Sequence, residues 1–92
     1  VRKVVISSGA SSDFITQAII TQADVFITSD LKYHECQNVI GTNLTLVDVG
    51  HYESESVYLD HFKAIMDDWI SDKNYDVLTK VSEMEHPIIK HL

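Results

Sequence analysis

The sequence predicts an α/β fold: a mostly parallel sheet with helices packed on it, in the order βαβαβαβ. Short β-branched runs, Val4-Val5-Ile6, Ala23 to Thr28 and Leu44 to Val49, alternate with stretches whose apolar residues fall at helical spacing. The composition, 45% hydrophobic and 23% charged, is that of a packed domain rather than a disordered chain. With 92 residues, the chain has room for one core.

The first strand is Val4-Val5-Ile6, closed by the small-residue turn Ser7-Ser8-Gly9. Asp13 or Ser12 is placed to cap the next helix, whose apolar positions are Phe14, Ile15, Ala18 and Ile19. Ala23 to Thr28 reads as the second strand. Ser29-Asp30 then offers capping chemistry for a helix through Tyr33, Cys36, Val39 and Ile40, and Gly41 suits the left-handed position that ends it. Leu44 to Val49 is the third strand, Gly50 to Ser54 a loop, and Ser56 to Ser71 the longest helix. On that helix Tyr58, Phe62, Ile65, Met66 and Trp69 recur every three or four residues, an apolar face that needs a sheet or partner over it. Tyr75 to Val81 alternates as a fourth strand would, and Pro87 marks the tail as an edge or extended segment.

The net charge of −7 repels phosphate backbones, so nucleic acid is not an expected partner. Carboxylates and five histidines are, in contrast, the donors that divalent cations take. A single cysteine, Cys36, excludes an internal disulfide and points to a reducing, cytoplasmic setting. Within its helix Cys36 reads as a small buried apolar residue, with no basic neighbour to activate it. No apolar run approaches the roughly 20 residues a membrane span requires.

In parallel sheets ligands sit beyond the carboxyl ends of the strands. That rule brings Ser7 to Ser12, Thr28 to His34 and Asp48 to Glu55 to one edge, where the polar chemistry of the chain is concentrated. His51 and Glu55 stand four apart, a spacing that lets imidazole and carboxylate face one ion or two adjacent ones. A surface histidine and a dipole-stabilised carboxylate account for the same spacing without metal. Ser8, Gly9 and Ser11 form a candidate anion-binding loop, or equally a tight connection with a cap. Asp30 reads as a cap first and a ligand second; His34 reaches the same edge or simply starts its helix. His61 reads as a packing or surface residue, Asp60, Asp67, Asp68 and Asp72 as a solvated helix face, and His86 and His91 carry no assignment.

The order of these pieces resembles the NGG-one-interacting factor three family, also described as GTP cyclohydrolase I type 2-like. The resemblance lies in Ala23-Asp24-Val25-Phe26-Ile27-Thr28-Ser29-Asp30-Leu31-Lys32-Tyr33-His34 followed by Asp48-Val49-Gly50-His51-Tyr52-Glu53-Ser54-Glu55, after the loop Ser7 to Ser12. It extends over essentially the whole chain, with Ser29 standing where the family usually has glycine. The resemblance implies that residues 1–92 are the C-terminal α/β segment of a dinuclear-metal protein. It further implies that His51 and Glu55 are metal ligands, that His34 lies near the site, and that an N-terminal segment supplies the remaining ligands. Two divalent ions (zinc, iron, manganese or cobalt) and a ring-shaped homohexamer are implied in the same way.

Two ions about 3.5 to 4 Å apart make a bridging water nucleophilic near neutral pH, so metal-dependent hydrolysis is the expected activity. The alternative expectation is a non-catalytic, metal-stabilised assembly or regulatory interaction protein.

Overall fold

The structure, a computed structural model, describes residues 1–90, and His91 lies outside them. The chain divides into two compact units, Val1–Ser54 and Glu55–Leu92.

The first unit contains β1 (Val4–Ala10), a 3₁₀ turn (Ser12–Phe14), α1 (Ile15–Ile20) and β2 (Val25–Ser29). These are followed by α2 (Tyr33–Cys36), continued as a 3₁₀ turn over Gln37–Val39, then β3 (Thr45–Asp48) and the start of α3 (His51–Ser56). The strands form one sheet in the order β1-β2-β3, and both pairings are parallel, as expected for strands joined through helices. The predicted α/β class with a parallel sheet is therefore the fold observed.

Register explains where the core sits. Val5, Phe26 and Leu46 lie side by side across the three strands and meet Ile15, Ala18 and Ile19 of α1 and Val39 beyond α2. Phe26 is fully buried, which is worth roughly 1.5 to 3 kcal/mol for a side chain of this size. The adjacent row, Ile6, Ile27 and Val47, points to the opposite face of the pleat, and Ile6 remains 71% exposed.

Several local expectations are corrected. The predicted turn Ser7-Ser8-Gly9 is the continuation of β1: the register shifts between Ile6 and Ala10, and Ala10 then pairs with Ser29. Gly9, at φ 63°, takes up the irregularity, and the buried Thr28 hydroxyl donates to its carbonyl at 3.1 Å. Ser12 and Asp13 sit within the 3₁₀ turn, which is closed by Phe14 N–H donating to Ser11 O at 3.0 Å, so neither caps α1. Asp30 does not cap α2 either. That helix starts from Lys32, whose N–H donates to the Glu35 carboxylate at 3.0 Å, while Asp30 adopts a left-handed φ of 56°. Gly41 is left-handed, at φ 83°, as its position after the helix predicts. The expected loop from Gly50 to Ser54 is already helical from His51 onward.

In the second unit α4 (Tyr58–Asp72) carries the apolar stripe. Tyr58 stacks on Phe62 with ring centroids 5.7 Å apart, and Trp69 meets Tyr75 edge-on at 5.5 Å. Even so, Tyr58, Phe62, Ile65 and Trp69 each remain about half-exposed. The predicted fourth strand over Tyr75 to Val81 does not form; the segment is irregular and Leu78 is largely exposed. Alternation yields a strand only where a neighbour supplies the other half of the ladder, and here the anchor is instead the Thr79 hydroxyl on the Asp67 carboxylate, which Lys63 also pairs. Among the described residues no helix is long and apolar enough to cross a membrane.

Candidate functional site

The carboxyl ends of β1, β2 and β3 are tied together by side chains. Asp48, the last residue of β3, accepts the Leu31 N–H through one carboxylate oxygen at 3.0 Å and the Gly50 N–H through the other at 3.0 Å. The first bond fixes the loop after β2; the second is an Asx turn that aims the chain into α3. Ser54 on α3 donates to His51 O at 2.9 Å and accepts the Gly9 N–H at 3.0 Å, which links α3 to the end of β1. Gly50 is buried at φ 83°, and a Cβ there would lie 2.1 Å from Glu53 Oε2, so the Glu53 carboxylate occupies the space that a side chain would need.

This frame delivers His51 to Asp30. The imidazole Nδ1 lies 2.5 Å from Asp30 Oδ2, with the two side chains 44% and 46% exposed. A carboxylate can only accept, so Nδ1 is the donor in this contact. Half-exposed ion pairs contribute about 0 to 1 kcal/mol, whereas a left-handed backbone costs a non-glycine residue on the order of 1 kcal/mol, less for Asp than for bulkier types. The contact with His51 is therefore made from a backbone conformation that a half-exposed ion pair does little to offset.

Glu55 lies one turn beyond His51 in α3, and residues four apart share a helix face. His34 is exposed on the single turn of α2. The candidate anion loop is engaged with its own protein: Gly9 N–H goes to Ser54, Ser7 Oγ lies 2.7 Å from Ser11 Oγ, and Ser11 Oγ donates to the Ser8 carbonyl at 3.3 Å. Three of the loop's donors, the Gly9 N–H and the Ser7 and Ser11 hydroxyls, are thus already engaged. Cys36 is partly buried, and His61 meets the Tyr58 ring at 5.9 Å, a packing contact. Asp48, Thr28 and Ser54 carry structural roles that the sequence reading did not assign. Of these only Asp48 left a signal, in the Asp-x-Gly spacing of an Asx turn.

Comparison with known proteins identifies the family. The family described as Duf34/NIF3 (NGG1p interacting factor 3) matches residues 1–87. The chain belongs to that family. A GTP cyclohydrolase 1 type 2 homolog from Streptococcus pneumoniae is 31% identical over 77 residues, covering 84% of this chain and 29% of that protein. A homolog of the same name from Listeria innocua is 38% identical over 84 residues, covering 91% and 22%. Among solved structures, a Bacillus cereus protein related to NIF3 aligns with a TM-score of 0.89 at 25% identity, covering 97% of this chain and 24% of that one. This Duf34/NIF3 chain thus spans about a quarter of the length of the relatives it matches.

Proposed function

We propose that this Duf34/NIF3 segment contributes His51 and Glu55 to a two-ion divalent metal centre, and that the longer protein uses the centre for metal-dependent hydrolysis. The observation that carries this reading is the Asp30 carboxylate 2.5 Å from His51 Nδ1, which directs the ring's lone pair to Nε2. Glu55 adds a carboxylate on the same face of α3. Imidazole nitrogen with carboxylate oxygen suits zinc, iron, manganese or cobalt better than calcium.

The donor set fits such a centre as one contributor. Among the described residues no three or more His, Cys, Asp or Glu side chains gather into a group able to hold an ion. On this reading the remaining ligands are supplied by an N-terminal segment of the longer protein, and the chain alone binds metal weakly. When bound, divalent ions polarise oxygen substituents and lower the pKa of a water ligand. The role of the chain's own residues is to bind and orient: His51 and Glu55 as donors, with the Asp48 and Ser54 ties holding α3 at the strand ends. His34 is a further group near that edge. The relatives' name, GTP cyclohydrolase 1 type 2 homolog, suggests a nucleotide as the substrate class, and the single cysteine fits a cytoplasmic setting.

A second reading, a metal-stabilised homohexamer or regulatory assembly without turnover, draws on the half-exposed stripe of Tyr58, Phe62, Ile65 and Trp69 on α4. One experiment addresses both. Elemental analysis of the full-length protein is expected to give near-stoichiometric metal in the parent and a clear loss in His51→Ala/Glu55→Gln. Chelation that abolishes hydrolysis while the oligomer persists supports the hydrolase, and chelation that dissociates the oligomer supports the assembly. Unchanged metal content in the double variant removes both residues from the centre.

A further inference from the structure

We propose that Asp30 is a positioning residue whose carboxylate selects the tautomer and ring orientation of His51, at the cost of a left-handed backbone conformation at its own position. The proposal rests on the reading of His51 as a metal donor and adds to it a residue that does not itself bind the ion. Two independent observations converge on Asp30. Its side chain lies 2.5 Å from His51 Nδ1, and its φ is 56°, one of only three positive values at non-glycine positions among the described residues. The other two, Gln22 and Asn74, each stand one residue past a helix C-cap, where a left-handed residue closes the last turn. Asp30 follows a strand and closes no helix.

The surrounding bonds explain why the conformation persists. Ser29 is fully buried and pairs with Ala10, and the next residue after Asp30, Leu31, is held by the Asp48 carboxylate at 3.0 Å. The backbone is thus anchored on both sides of Asp30, and the turn between the anchors brings its carboxylate to the first residue of α3. A glycine would satisfy the backbone more easily and lose the contact with the ring. Asp is among the few side-chain-bearing residues that tolerate this conformation, and its carboxylate accepts the Nδ1 proton. Orientation of an imidazole by a carboxylate on its far nitrogen is a general device of metal-binding histidines, and its loss weakens metal binding by about 10 to 100-fold.

The test separates backbone from carboxylate. The full-length protein, labelled with ¹⁵N in its histidines, is studied by NMR at neutral pH as the parent, Asp30→Gly and Asp30→Asn. His51 is assigned by its loss in His51→Ala, and zinc chloride is titrated while the same imidazole signals are followed. The parent is expected to show His51 protonated on Nδ1. Asp30→Gly, which accepts φ 56° without strain, is expected to keep the fold and thermal midpoint, to lose the single tautomer and to bind zinc about 10 to 100-fold more weakly. Asp30→Asn, whose amide oxygen still accepts, is expected to retain the Nδ1–H tautomer and fall between the two. A parent protonated on Nε2, or an Asp30→Gly variant with the parent's tautomer, overturns the proposal. A parent whose His51 signals do not respond to zinc counts against the metal reading instead, and the tautomer comparison still decides the role of Asp30.

Discussion

Asp48 grips Leu31: the carboxylate that ends β3 accepts the backbone N–H of the loop leaving β2, 17 residues away in sequence, at 3.0 Å. Because its other oxygen holds Gly50 N–H, one side chain sets the spacing between two loops of the candidate site. Asp48→Ala is expected to destabilise the chain by about 1 to 2 kcal/mol, the usual consequence of removing a charged acceptor from partly exposed donors. Urea unfolding measures it. A midpoint unchanged from the parent refutes the clamp, and amide exchange at Leu31 and Gly50 should accelerate in the variant.

Gly50 disfavours a side chain. Its φ of 83° and the 2.1 Å separation between a built Cβ and Glu53 Oε2 predict that Gly50→Ala costs about 1 to 2 kcal/mol for the backbone, with displacement of Glu53 in addition. Combining it with Glu53→Ala should recover the part due to the clash and leave the backbone cost. Thermal melts of the single and double variants resolve the two contributions.

Ser29 makes the opposite prediction. Its hydroxyl is buried and has no hydrogen-bond partner among the described residues, so Ser29→Ala is expected to be neutral or stabilising, by up to about 1 kcal/mol. A loss of more than that in denaturant unfolding would reveal a partner for the hydroxyl.

Acid sensitivity should trace to carboxylates that accept hydrogen bonds. The N–H groups of Arg2 and Lys3 donate to Asp24, at 2.5 and 2.8 Å, and hold its carboxyl below the ordinary carboxylate range. The Lys32 N–H, followed by the Ser12 hydroxyl, does the same for Glu35, and Lys63 followed by Thr79 for Asp67. A pKa depressed on folding means that the folded state binds the proton less readily than the unfolded one. The stabilisation is therefore present above the unfolded carboxylate pKa, about 4, and is lost as pH falls through the lower folded values. Stability measured from pH 6 to pH 2 should decline over the lower part of that interval, and Asp24→Asn should flatten the decline. An equal slope in parent and variant removes Asp24 from the effect.

Much of the architecture was legible because β2 and β3 are short β-branched runs between polar breaks, and such runs need a sheet whatever surrounds them. The extension of β1 through Ser7 to Ala10 was not legible. Those small residues have no strand preference of their own and are held by pairing with β2, a contact remote in sequence. Tyr75 to Val81 failed in the reverse sense: its alternation is sound, but no strand lies beside it among the described residues. At the candidate site, the spacing of His51 and Glu55 left a metal pair and a structural pair open, the resemblance alone implied ligation, and the edge at the strand ends could be read from strand-helix alternation. The role of Asp30 could not, since an aspartate before a helix ordinarily caps it, and only the observed left-handed backbone separates the two uses.

β1 lies at the margin of its sheet, and Val4 and Ile6 stand bare along it. A strand with open backbone groups and greasy side chains invites its own copies to zip on, so concentrated solutions of this polypeptide should cloud before dilute ones do. The cations of Arg2 and Lys3 at the strand's entrance act as gatekeepers, and neutralising them should hasten the clouding.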